Sequence, residues 1–181
     1  MDLREYIAVM SAVIALGAAA ASAIINLRGQ RRQYFAEMRK WADEVCGTLS
    51  AAVHACDLNP AHKDGNFFSK RHELRIALSS LVDRGRWFFP NLHHTEVGIE
   101  KDEAFRGLRQ PALDLLVKAY WLVGSMSYTD QYSNLALRDP LVELKRKFVS
   151  EVQNYLDPRN RRTIFTQLTE FTGRVPEDAG P

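Results

Sequence analysis

The sequence predicts an all-α protein, an N-terminal transmembrane helix followed by a cytosolic four- to five-helix bundle, on three observations in its 181 residues. Residues 6–27 carry no charged side chain. Downstream, apolar residues recur at steps of three and four, the period of a helix buried along one side. No segment alternates apolar and polar residues between hairpin turns, the pattern that a sheet would leave.

The first element is the run from Tyr6 to Leu27, YIAVMSAVIALGAAAASAIINL. As a helix it is about 33 Å long, against a hydrocarbon core of about 30 Å. Ile7, Val9, Met10, Val13, Ile14, Leu16, Ile24, Ile25 and Leu27 supply its hydrophobicity. Each such residue adds only about −0.3 to −0.6 kcal/mol to insertion, so the alanine-rich span is a competent but weak anchor. A cleaved signal peptide would begin with a basic segment, whereas Asp2, Arg4 and Glu5 leave the start acidic. Arg28, Arg31, Arg32, Arg39 and Lys40 follow the run at once. The positive-inside rule then keeps the C-terminal side in the cytoplasm and the N-terminus outside, as a single pass.

Arg28, Arg31 and Arg32 fall at the depth of lipid headgroups, where each basic residue contributes about 1 kcal/mol. Membrane lipid is therefore an expected partner. Within the run, Ser11, Ala15, Ala19 and Ala23 recur every fourth residue. Such a small-residue face lets two backbones approach closely, and it predicts association with a second copy or with a larger protein.

Residues 29–172 make the predicted bundle and 173–181 a flexible tail. No proline interrupts residues 2–57, and Tyr34, Met38, Trp41, Val45, Leu49, Ala52 and Cys56 form one helical stripe. The anchor is thus expected to continue into the first bundle helix. Asn59-Pro60 and the polar residues after it end that helix. A second follows through Leu74, Leu78, Leu81 and Val82, and a third opens at Pro111 and runs through Leu113, Leu116, Val117, Tyr120 and Val123. Asp139-Pro140 and Asp157-Pro158 each read as an N-cap acid before a first-turn proline, opening helices over about 140–156 and 158–172. Cys46 and Cys56 sit ten residues apart on one predicted helix, about 15 Å along its axis, too far for a disulfide.

Between Trp87 and Gln110 lies a connection of some twenty residues, a length that usually carries function. Arg84 and Arg86 stand before it and Arg106 and Arg109 at its end, with Glu96, Glu100, Asp102 and Glu103 inside. Two arrangements follow from this composition. The arginines pair with the loop's acids and hold it down, or some of them converge on an anionic ligand such as a nucleotide or a phosphorylated metabolite, with Trp87, Phe88, Phe89 or Phe105 as a stacking face. Arg84, Arg86, Trp87, Arg106 and Arg109 are the candidate ligand-binding residues. The segment RGRWFFPN, Arg84 to Asn91, resembles one in small uncharacterised bacterial proteins with an N-terminal membrane helix and a cytosolic helical domain. That resemblance implies the architecture, with a bacterial inner membrane as its place, and no activity.

No catalytic residue is assigned, because no nucleophile elbow, phosphate loop, dinucleotide fingerprint or deaminase pattern is present. No metal is expected, since His93 and His94 are adjacent and point apart on an extended chain. No cofactor is expected either. A net charge of +2 is too balanced for a dedicated nucleic-acid binder. The sequence therefore predicts a membrane-anchored helical sensor, effector or interaction protein that works by binding and oligomerisation, with a bacterial defence or stress system as its setting. The alternatives are a ligand-binding or enzymatic domain using residues 84–109, or a structural accessory subunit of a membrane complex.

Overall fold

The computed structural model describes residues 2–62, 66–92 and 97–157, all-helical and without a strand among them. Helix α1 spans Leu3–Ala55, α2 Phe67–Gly85, α3 Pro111–Gly124, α4 Gln131–Ala136 and α5 Arg138–Leu156, with a 3-10 turn at Glu103–Phe105. The segment 158–172, the tail 173–181, and the residues His93, His94 and Glu96 lie outside the described residues. By internal contacts the chain divides into two compact units, residues 1–39 and the remainder from Lys40.

In the first unit, α1 carries its apolar side chains outward: Ile7, Met10, Val13, Ile14, Leu16, Ile24, Ile25 and Leu27 are all exposed. An 18-residue window of this helix has a mean hydropathy of 1.9 and no part of it is buried. By length and composition the helix can cross a membrane. Ser11, Ala15, Ala19 and Ala23 are likewise exposed along one face. Ser11 satisfies its own hydroxyl, Oγ donating to the Ile7 carbonyl at 2.8 Å. Below the apolar run, Arg28 and Arg32 are exposed, and the Arg31 guanidinium lies 6.0 Å from the centre of the Phe35 ring.

The second unit is organised by the stripe read from the sequence. Trp41, Val45, Leu49, Ala52 and Cys56 of α1 are each buried. Opposite them α2 buries Leu74, Leu78, Leu81 and Val82, α3 buries Leu113, Leu116, Ala119 and Val123, and α5 buries Leu141, Phe148 and Val152. Helix α3 packs on both α2 and α5. Trp41 joins the layers, its ring 5.5 Å from Phe89 after the end of α2 and 5.6 Å from Phe148 of α5.

Two helix starts differ from expectation. α5 begins at Arg138, so Asp139 and Pro140 sit inside its first turn rather than outside it, and no side chain caps this end. Pro140 is tolerated there because the first N–H groups of a helix have no intrahelical acceptor to lose. The short α4 was not anticipated. Asp130 caps it, accepting from the Tyr132 N–H at 2.9 Å. At its centre Asn134 is fully buried, its Oδ1 accepting from Ser127 N at 2.7 Å and its Nδ2 donating to Ser127 O at 2.9 Å. The C-terminal end of α3 is closed from outside by Arg71 of α2, which donates to the carbonyls of Val123 and Gly124 and lies 4.4 Å from the Tyr128 ring.

Candidate functional site

The long connection after α2 folds back on itself through a narrow neck. Leu92 and Leu108 exchange backbone hydrogen bonds of 2.7 and 2.9 Å as an isolated antiparallel bridge. Beside this neck Asn91 Nδ2 donates to the Arg106 carbonyl at 3.0 Å, and Gly107 N donates to Val97 O at 2.8 Å. Gly98 and Gly107 hold φ of 74° and 84°, left-handed values that glycine reaches at least cost. The loop is therefore an ordered platform at both of its described ends, and it brings residues 86 and 109 together.

The four framing arginines separate into distinct roles. Arg84 turns toward α1 and donates to Glu44 Oε2. This hydrogen bond holds the Glu44 carboxyl below the usual carboxylate range and raises the Arg84 guanidinium. Arg106 is exposed and donates from Nε to the Lys101 carbonyl at 2.8 Å, a bond within the loop. Arg86 and Arg109 alone face a common cleft of about 630 Å³, lined also by Asn91, Lys101, Phe105 and Asp114. Trp87 does not belong to it. Its ring is exposed beside Ile76, Ser80 and Arg84, along a different groove.

The geometry bears on both arrangements expected from composition. Among the described residues no framing arginine pairs with Glu100, Asp102 or Glu103. The partners instead come from Glu44 on α1, Asp83 on α2 and Asp114 on α3. Of the five candidates, Arg86 and Arg109 line one cleft, and Arg84, Trp87 and Arg106 do not. The reason is geometric: Arg84 and Arg86 are two apart, at and just past the end of α2, and so leave the helix on different sides.

The surroundings of Arg86 are unusual for a cation. Its guanidinium lies 4.5 Å from the Phe105 ring centre and Nη1 donates to the neutral Asn91 Oδ1 at 3.2 Å. Burial, and then the charge of Arg109, pull it below its ordinary pKa. Arg109 donates from Nη1 to Asp114 Oδ1 at 3.0 Å. Both Nε atoms are buried without an acceptor.

Comparison with known proteins is silent. No family model, no curated protein and no solved structure matches this chain. The site therefore has to be read from its own chemistry. Of the four aromatic residues expected as a stacking face, Phe105 lines this cleft, whereas Asn91 was not singled out, because an asparagine before a loop looks like a turn residue. The pairing of Leu92 with Leu108 would have pointed to Asn91, yet two leucines sixteen residues apart announce no bridge.

The cysteines offer no nucleophile. Burial, then Asp57, pushes the Cys56 thiol up to about 11, and burial also raises Cys46, so neither carries the depressed pKa of a reactive thiol. No group of three potential metal ligands occurs among the described residues.

Proposed function

We propose that this protein is a single-pass membrane protein whose cytosolic helical bundle works by binding and association, as a sensor or effector at the membrane. One observation carries the reading: the apolar half of α1 keeps its large side chains exposed, and the charged residues begin only where that face ends. A row of exposed apolar residues this long is costly in water and calls for cover. Lipid provides that cover along the whole circumference, and Arg28, Arg31 and Arg32 then meet anionic headgroups.

The basic residues on the C-terminal side support an N-out, C-in orientation in a bacterial inner membrane. Ser11, Ala15, Ala19 and Ala23 support close packing of two anchors, which sets two bundles at one place on the membrane. An effector of a bacterial defence or stress system has this form. The orientation is tested with reporter fusions at the C-terminus: a fluorescent protein that matures only in the cytoplasm should be bright, and a periplasm-dependent phosphatase should be inactive. The opposite pair of results would reverse the topology and with it the assignment of the bundle to the cytoplasm.

A further inference from the structure

The cleft between Arg86 and Arg109 brings together two guanidinium groups whose buried Nε atoms have no hydrogen-bond acceptor among the described residues. The Arg86 side chain is only 15% exposed, and the one carboxylate within ion-pair distance of it among the described residues is Asp83, 3.9 Å from Nε and itself largely in solvent. A guanidinium this far from water usually has a carboxylate in bidentate contact, because the unpaired buried charge is costly. Here it has a neutral amide, an aromatic ring and a second cation. Arg109 is partly neutralised by Asp114, which is half exposed. Two guanidinium forks thus reach one cleft from different elements, the end of α2 and the entry to α3, and among the described residues neither is held in a bidentate pair by a carboxylate.

We propose that this cleft binds the phosphate group of a small organic phosphate monoester. A planar carboxylate offers its acceptor sites in one plane and a single edge for a bidentate fork. A tetrahedral phosphate presents several edges and can accept from two forks that approach from different directions. The lining narrows the class further. Arg86, Lys101 and Arg109 are balanced by Glu100, Asp102 and Asp114. One phosphate group suits the guanidinium pair, while a triphosphate would extend toward the acids. Phe105 and Leu108 are each partly exposed at the same cleft and give the organic part an apolar surface. This assignment does not depend on whether α1 spans a membrane, so the two can fail separately.

The test uses the full chain in detergent micelles and, in parallel, in lipid nanodiscs. Thermal melting is followed with adenosine monophosphate, glycerol phosphate, inorganic phosphate and adenosine triphosphate, each against chloride of equal ionic strength. A monoester should raise the melting temperature saturably. Arg109→Gln and Arg86→Lys should weaken that binding at least about tenfold, the loss expected for a charge-assisted contact, while Arg146→Ala, remote from the cleft, leaves it unchanged. Arg86→Lys retains the charge and loses the fork, so it separates phosphate recognition from folding. Stabilisation only in nanodiscs containing phosphatidic acid, lost in both cleft variants, would identify a lipid headgroup as the source of the same phosphate chemistry. No response to any monoester, or an equal response in the cleft variants and Arg146→Ala, would overturn the proposal.

Discussion

The Trp41 indole donates from Nε1 to the backbone carbonyl of Leu81 at 2.9 Å, fully buried, and fixes α1 against α2. The same ring leaves no room at Gly85, where an added Cβ would stand 2.7 Å from Trp41 Cζ2 and closer still to Leu113 Cδ2. Glycine is required there by close approach, since the position is helical.

Trp41→Ala should therefore lower the stability of the bundle by about 3–5 kcal/mol, as large aromatic truncations in cores do. Gly85→Ala adds volume where none is free and should cost about 1–3 kcal/mol. Denaturant titration of the full chain in micelles, followed by helical circular dichroism, measures both. A Gly85→Ala protein as stable as the parent would contradict the packing.

The Arg84–Glu44 pair predicts a small acid sensitivity. Because the arginine's hydrogen bond lowers the Glu44 pKa in the folded state, the unfolded chain binds that proton more readily. The stabilisation is thus present above the ordinary carboxylate range and is lost as pH falls through it. Both side chains are more than a third exposed, so solvent screening limits the pair to at most about 1 kcal/mol. Arg84→Ala should lower stability by that little at neutral pH, and the difference should shrink as pH falls through and below the ordinary carboxylate range. A loss that persists in acid would show that Arg84 acts through packing instead.

Cys56 predicts the opposite limb. Its folded thiol keeps its proton up to about 11, whereas an unfolded cysteine loses it near the ordinary value of about 8.5. Stability should be full below the lower value and decline as pH rises toward the upper one. In folded protein, Cys56 should resist maleimide at neutral pH and become reactive only on unfolding, which a Cys46→Ser background makes measurable. Labelling at the rate of a free cysteine would contradict its burial.

Much of this architecture was legible in the sequence, and the illegible parts share a cause. The stripe Trp41, Val45, Leu49, Ala52 and Cys56 announced itself because a long helix repeats its signal many times. Helix α4 has six residues, too few for any period, and depends on one aspartate cap and one buried asparagine. The arginines were visible as a group, but their partners were not: Glu44 lies forty residues from Arg84, and no local pattern encodes that contact. Arg86 and Arg109 meet because Leu92 pairs with Leu108, a tertiary event.

Association through the anchor predicts an ordered response to bulk. Isoleucine at Ala15 or Ala19 should strongly reduce crosslinked oligomers in native membranes, because the interface requires close backbones. Ile14→Ala, one position off that face, should leave them unchanged. Equal crosslinking in all three variants would remove the small-residue face from the account.

The central claim is that the apolar N-terminal part of α1, residues 6–27, lies in lipid, and alkaline carbonate extraction of membranes from cells making the full chain tests it most directly. An integral anchor predicts that the protein stays in the pellet after carbonate and leaves it only with detergent. Quantitative release into the carbonate supernatant would contradict the claim, and the exposed apolar face of residues 6–27 would then need a protein partner as its cover.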